Sequence, residues 1–527
     1  MRLDTVLFAH CRRTPDKDAL VFGDRRVSYG GLKADIRSLA AGFMAHGVSP
    51  GDRVVVYLPN GIEFLEVLFA AISIGAIAVP VSTRLTVNEL AYMCDDSGAG
   101  TIVCDIEQAA AVAAMVAQRD GLTGFVSGGS CPGLAEMDTL HGAPDTPLPD
   151  WPATRDECMI MYTSGTTGRP KGVIQTHANM LISHGFMNGV EWGIGADDRY
   201  LVVASMAHRA GLGRAMNAMM LGGTLAIVRA FDTDLVIETI EREAITVFGM
   251  IPTMCRMLLP ALEKAPERCR SLRRLVVTGE AFPVALKKRL LDLLPDTQLI
   301  SFFAITEAGF VTNLSHEEQF THPGSVGRAM PGIEIRIVDV ETAREVAQGD
   351  VGEITVRSGM PGAFTVMKGY YNRPEATAEA LRDGWFFTGD MGYEDAEGYL
   401  HIVDRKKDMI VSGGFNVYSK EVEVTIATLP GVGDVAVVGV PDPVYGEAVV
   451  AFIETVDATP PPSQDQVIAH CREVIASYKK PRHVFLRKAF PRNAVGKVLK
   501  FELAAQAVAE LVAMGAIETP ATPGDGA

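Results

Sequence analysis

The sequence predicts an α/β protein in two parts. The first is a large N-terminal domain of mostly parallel, helix-covered sheets plus a β-rich subdomain, and the second is a small mobile α+β domain at the C-terminus. Three observations lead there. Short apolar runs such as Val54-Val-Val-Tyr-Leu58 and Leu275-Val-Val-Thr278 alternate with amphipathic stretches. Strands that are apolar on both faces and separated by helices build parallel sheets covered on both sides. After about residue 325 the texture changes to period-two alternation, in Ile333-Glu-Ile-Arg-Ile-Val338 and Gly352-Glu-Ile-Thr-Val-Arg357, the mark of half-exposed strands. Beyond a charged cluster, Asp404-Arg-Lys-Lys-Asp408, lies enough chain for a unit of about a hundred residues.

Taken in order, Tyr29 to Phe43 has helical spacing, and Gly51-Asp-Arg leads into the strand Val54–Leu58. A buried helix over 62–74 runs into the strand Ala76-Ile-Ala-Val-Pro80. Further strands are read at Thr101–Cys104, Leu201–Ala204, Thr224–Val228, Val247–Met250 and Leu275–Thr278. No fixed-period repeat appears. In the C-terminal part the pattern predicts helices over 419–429 and 464–477 and strands over 435–440 and 448–453. The expected domains are 1–404, a hinge at 405–407, and 408–517. The Pro/Gly/Thr/Ala-rich residues 518–527 are read as a disordered tail.

The chain has 527 residues, more than one hydrophobic core usually organises. Its net charge of −16 argues against nucleic acid as a partner. Eight scattered cysteines, with no CxxC pair, read as reduced thiols rather than a disulfide frame or zinc site. The first residues carry no long apolar segment of a secretory signal. The greasiest stretch, Val67 to Val81, is too short for a transmembrane segment, so a cytoplasmic protein is expected.

The densest chemical signal is Tyr162-Thr-Ser-Gly-Thr-Thr-Gly-Arg-Pro-Lys-Gly-Val173. It holds four hydroxyls, three glycines and one lysine after the apolar run Cys158–Met161, and a helix is expected from near Thr176. Glycines let successive N–H groups converge on an anion, hydroxyls add donors, and Lys171 adds a mobile point charge. The spacing is not of the Walker type, because Lys171 follows Gly168 by three and no Ser or Thr comes next.

Three more constellations follow: Thr306-Glu307, Thr388-Gly-Asp390 and Gly496-Lys497. Their order and separations, with the anion loop first, resemble the adenylate-forming superfamily of acyl-CoA synthetases, adenylation domains and luciferases. The resemblance runs from Tyr29 to about Leu503. It implies an enzyme, an AMP-forming acyl-CoA synthetase that joins a carboxylate to the α-phosphate of ATP and then passes the acyl group to coenzyme A. Both reacting partners are anions, so such a site must neutralise charge and hold the groups in line.

The resemblance also implies roles. Thr163, Ser164, Gly165, Thr166, Thr167 and Lys171 would grip the β- and γ-phosphates. Thr306 would touch the α-phosphate and Glu307 would hold Mg2+, a hard ion suited to one carboxylate plus phosphates. Asp390 and Arg405 would hold the ribose, with Gly279, Glu280, Ala281 and Phe303 around adenine. Lys497 would be the catalytic lysine and Lys407 the hinge position. His208, in Ser205-Met-Ala-His208, would lie beside the substrate carboxylate. Gly413 and Gly414 would line the thiol tunnel, while Tyr445, Tyr478, Lys480 and Arg482 match positions that contact the coenzyme A nucleotide; the same residues fit a solvated basic face equally well. The chain departs from the family at Phe303-Ala304, where Tyr-Gly is usual, and at Ser205 and Ala207. These departures concern the shape of the acyl pocket, to which Ala304 is assigned.

Met219 and Met220 read as core, and Arg209 and Arg214 as solvent-exposed or structurally paired rather than as partners of a second polar group on the acid. The acid is expected to be apolar: aromatic, alicyclic or medium-chain. The alternative reading is an acyl-AMP ligase that loads a carrier protein in trans; a non-catalytic binding protein on the same fold is a further rival. A homodimer is left open, since no residue specifies an oligomeric state.

Overall fold

Two large sheets organise the first unit of the computed structural model, which describes residues 1–151, 155–163, 169–278, 282–455, 460–492 and 496–517. One sheet has seven strands in the order Gln298–Ser301, Arg274–Val277, Val247–Met250, Arg199–Val202, Thr224–Ile227, Asp18–Phe22 and Arg25–Ser28. All its neighbours are parallel except the last pair. The second sheet has eight strands and runs from Gly369–Tyr370 through Lys171–Thr176, Glu157–Thr163, Ile77–Pro80, Arg53–Tyr57, Thr101–Asp105 and Thr123–Ser127 to Ala135–Glu136. Its parallel centre is apolar on both faces, as Val54, Val55 and Val56 are fully buried. The helix Ile62–Ser73 is buried at every position except Glu63, which accounts for its all-round apolar sequence. Among the described residues no helix is long and apolar enough to cross a membrane.

The chain divides into two compact units. The first comprises Met1–Ile335, Thr355–Phe387 and Glu397–Leu400; the second comprises Arg336–Ile354, Thr388–Ala396 and the chain from His401 onward. The second unit holds a five-stranded sheet built on the long antiparallel pair Val432–Asp442 and Gly446–Thr455. Period-two alternation here serves two cores, one on each face. Val435, Val437, Val449 and Ala451 face the helices Ser419–Ile426 and Gln464–Val474, while Ala436, Val438, Val450 and Phe452 face Leu503, Ala507 and Leu511 of the helix Lys500–Ala513. Each buried Val or Leu contributes about 1.5–3 kcal/mol relative to exposure.

Two local features go beyond the periodicity. A strand stands between the anion loop and the helix expected from near Thr176. Lys171–Thr176 is a strand that pairs antiparallel with Glu157–Thr163, with Thr163 opposite Lys171. The helix then starts at His177, where the Thr176 side chain and Asn179 form a reciprocal cap. Lys171 is therefore placed by a β-hairpin and not by a helix N-terminus. The helix also widens into a π-helical turn over Leu181–Met187 before resuming at Asn188–Trp192, a feature with no periodicity signal in a short window.

Candidate active site

In the first unit the geometry converges on Glu307. Ala304–Ile305 and Gly309–Phe310 form a two-stranded antiparallel hairpin, and Thr306 and Glu307 lie in its turn. Gly309 closes the turn with φ +73, and a Cβ there would lie 3.0 Å from the Ser183 hydroxyl and 3.1 Å from the Arg209 guanidinium, so glycine is required. Glu307 Oε1 accepts hydrogen bonds from the hydroxyls of Thr163 and Tyr370, each at 3.2 Å. The Lys171 ammonium stands 5.0 Å from the centroid of the Tyr370 ring. Thr163, Lys171, Thr306 and Glu307, predicted from separate motifs, thus meet around one carboxylate. Ser164, Gly165, Thr166, Thr167, Gly279, Glu280 and Ala281 lie outside the described residues.

Tyr370 escaped the sequence reading. Its place comes from the pairing of Gly369–Tyr370 with Lys171–Thr176, a contact across some two hundred residues that no local pattern announces. Arg209 and Gln175 were also passed over as site residues. Gln175 Nε2 donates to the Thr306 carbonyl at 3.0 Å, and Arg209 donates to Gln175 Oε1 and, at 3.4 Å, to that same carbonyl. The aligned donors brace the Thr306–Glu307 turn from behind.

Of the two readings offered for these arginines, exposure fails for Arg214, which is 5% exposed, while Arg209 is structurally paired with Gln175 and the Thr306 carbonyl. Nε of Arg209 and Nη1 of Arg214 are shut off from solvent without a hydrogen-bond partner among the described residues. Burial pulls both guanidinium pKa values down to about 10, where they remain cationic at neutral pH. Both project from the helix Arg209–Leu221, whose N-cap is His208, itself half-buried. Behind them, among the described residues, neither ring nitrogen of His184, at 0% exposure on the π-helical turn, is hydrogen-bonded, and Asn188 Oδ1 is likewise unmet. Burial and then the two arginines hold the His184 pKa well below its ordinary value, so the ring is neutral. Met219 and Met220 are buried in the core, as read from sequence. Phe303 and Ala304 are half-buried at the root of the Thr306–Glu307 hairpin, and Ala207 is buried.

In the second unit Asp390 is 5% exposed, and its Oδ1 lies 3.2 Å from Arg405 Nε. The Thr388 hydroxyl accepts from the Asp390 N–H at 3.0 Å, fixing the turn that aims the carboxylate. The 405–407 stretch is a 3-10 turn over Lys406–Asp408, fastened by Lys406 to Glu353 (2.9 Å) and by Asp404 to Ser419 (3.1 Å). Lys407 on this turn is exposed. Gly413 and Gly414, with φ +59 and +81, form the two-residue turn between Ile410–Ser412 and Phe415–Val417. Beside it the Gly413 N–H donates to the Tyr445 carbonyl (2.8 Å), and Tyr478 stacks on Phe415 at 4.7 Å. Arg482 is ion-paired with Asp442 and lies over the Tyr445 ring, and Lys480 donates to the Ser477 carbonyl. Asp442 therefore neutralises part of the basic face. Lys497 is exposed and precedes Val498, which forms a bridge with Arg492. Among the described residues no cluster of three metal-ligating side chains exists.

Comparison with known proteins places this arrangement. The family model for AMP-binding enzymes matches residues 7–371, and that for the AMP-binding enzyme C-terminal domain matches residues 421–497. A feruloyl-CoA synthase from Amycolatopsis sp. is 38% identical over 93% of this chain and 96% of its own length. A long-chain-fatty-acid–CoA ligase from Mycobacterium tuberculosis is 35% identical over 92% of this chain and 93% of its own. Among solved structures, ATP-bound MatB from Rhodopseudomonas palustris superposes with a TM-score of 0.85 at 30% identity, covering 96% of this chain and 99% of that one. The chain belongs to the adenylate-forming, AMP-binding enzyme family, in its acyl-CoA synthetase branch.

Proposed function

We propose that the protein forms an acyl-adenylate from ATP and an aromatic, alicyclic or medium-chain carboxylic acid and transfers the acyl group to coenzyme A, releasing AMP and pyrophosphate. The observation that carries this reading is the convergence of Thr163, Lys171, Tyr370 and Thr306 around the Glu307 carboxylate. A carboxylate is a poor electrophile because oxide would have to leave; the adenylate provides a good leaving group. Lys171 and the hydroxyls around it neutralise the departing pyrophosphate, and Thr306 steadies the α-phosphate. Lys497, a compact cation, stabilises charge that develops as the acid attacks. Asp390 accepts from the ribose hydroxyls, with Arg405 at its side.

Glu307 fits Mg2+, because Oε2 accepts no hydrogen bond from any described residue while Oε1 is fixed by two hydroxyls. A single carboxylate with nucleotide phosphates is an ordinary donor set for that ion, which would neutralise phosphate charge when bound. His208 borders the acid carboxylate, and Ala304 the acyl group. Coenzyme A then enters past Gly413 and Gly414 with Tyr445, Tyr478, Lys480 and Arg482 near its nucleotide, after a rotation of the small domain (408–517) hinged at Lys407.

Incubation with ATP, Mg2+, coenzyme A and a panel of aromatic and fatty acids, with masses read on the products, tests the reading. Acyl-CoA and AMP in equal amounts are expected. Acyl transfer to a carrier protein with none to coenzyme A would instead support loading of a carrier in trans.

A further inference from the structure

Arg214 poses a problem that the shared chemistry does not solve. Its side chain lines a cavity of about 20 Å³ together with Ala204, Gly249, Thr278 and Phe302. The guanidinium lies 4.8 Å from the centroid of the Trp192 ring and 5.8 Å from that of Phe302. Aromatic faces attract the cation but leave its in-plane N–H donors unmet. Among the described residues Nη1 has no hydrogen-bond partner and no carboxylate compensates the charge. Buried charges are ordinarily paired and hydrogen-bonded, so an arginine left this way is incomplete without something else. Gly249 makes its room, since a Cβ there would lie 2.6 Å from Arg214 Cδ.

The cavity also has an address. Ala204 immediately precedes Ser205–His208, Thr278 precedes Gly279–Ala281, and Phe302 precedes Phe303–Ala304. Each of the three stretches assigned to the acid and the adenylate therefore has a neighbour in the cavity wall. A space of this size holds about one water-sized group.

We propose that Arg214 determines specificity by receiving an oxygen acceptor, a carboxylate, carbonyl or phenol oxygen, at the end of the acid remote from the carboxylate that reacts. The cavity takes that one terminal group. An acid lacking it leaves the buried donors of Arg214 without that acceptor and loses the hydrogen bond that the acceptor-bearing acid makes. This inference rests on the ligase reading above and narrows its substrate class.

The test uses matched acids: cinnamate against para-hydroxycinnamate and para-carboxycinnamate, and octanoate against octanedioate. Acid-dependent ATP–pyrophosphate exchange is measured with each. The wild type should favour the acceptor-bearing member of at least one set by about tenfold or more in kcat/KM. Arg214→Met should bring that ratio near one, and Arg214→Lys should restore part of it. Gly249→Ala, which displaces the guanidinium without removing it, should also lower the ratio and serves if Arg214→Met does not fold. Exchange with the plain acids but no preference in the wild type overturns the role of Arg214, as does a preference that survives both Arg214→Met and Gly249→Ala. No exchange with any acid overturns the ligase reading itself.

Discussion

At the scale of the residue, Glu307 shows how the fold prepares a carboxylate. Thr163 and Tyr370, from distant parts of the chain, both donate to Oε1 and so orient the group, while Oε2 accepts from no described residue. Glu307→Gln keeps the shape and removes the charge. It should lower ATP–pyrophosphate exchange by about a hundredfold or more while leaving thermal stability within a few degrees. A variant that unfolds at ordinary assay temperature would reveal a structural carboxylate instead. The chemistry of Thr306-Glu307 was legible as a residue pair, and its hydroxyl neighbour Thr163 was legible as part of the glycine-rich loop. Tyr370 was not, because Gly-Tyr-Tyr reads as an ordinary turn until its strand pairs with Lys171–Thr176. Arg214 was misread for a related reason. A charged residue on a helix is taken to face water, and only the packing of Trp192 and Phe302 around it shows otherwise.

At the scale of the element, regular periodicity translated well and local irregularity did not. The helices Tyr29–Ala45 and Ile62–Ser73 lie close to where apolar spacing puts them. The helix expected from near Thr176 starts at His177, but the strand Lys171–Thr176 before it went unread, because Val173 and Ile174 suit either period in so short a run. The π-helical turn Leu181–Met187 has no sequence signature, since it differs from an α-helix only in which carbonyl each N–H reaches. The largely apolar Ile62–Ser73 helix hides a titrating group. Glu66 is buried near Asp35 and Glu63, and burial first, then those charges, push its carboxyl from the usual 4.5 up to about 8. The folded state therefore keeps a proton that the unfolded chain releases, and stability from this group falls as pH climbs from about 4.5 toward 8. Glu66→Gln should melt higher than the wild type near pH 8 and almost together with it near about pH 5, as followed by circular dichroism. An equal difference at both values would remove Glu66 as the cause.

At the scale of the whole molecule, the residues assigned to one reaction are shared between two compact units. Thr163, Lys171, Thr306 and Glu307 belong to the first, and Asp390, Arg405 and Lys497 to the second. The α/β class and the smaller C-terminal α+β part were legible because both-face burial and period-two alternation leave different patterns. The assignment of Arg336–Ile354 and Thr388–Ala396 to the second unit was not, since it depends on long-range packing. Separating the two half-reactions tests the account most directly. Acid-dependent ATP–pyrophosphate exchange and thioester formation from synthetic acyl-adenylate would be measured on the wild type, Lys497→Ala and Lys407→Pro. The account predicts that Lys497→Ala abolishes exchange yet largely retains thioester formation, and that Lys407→Pro, which fixes φ at the hinge, slows one half-reaction far more than the other. Equal loss of both half-reactions in both variants would contradict it.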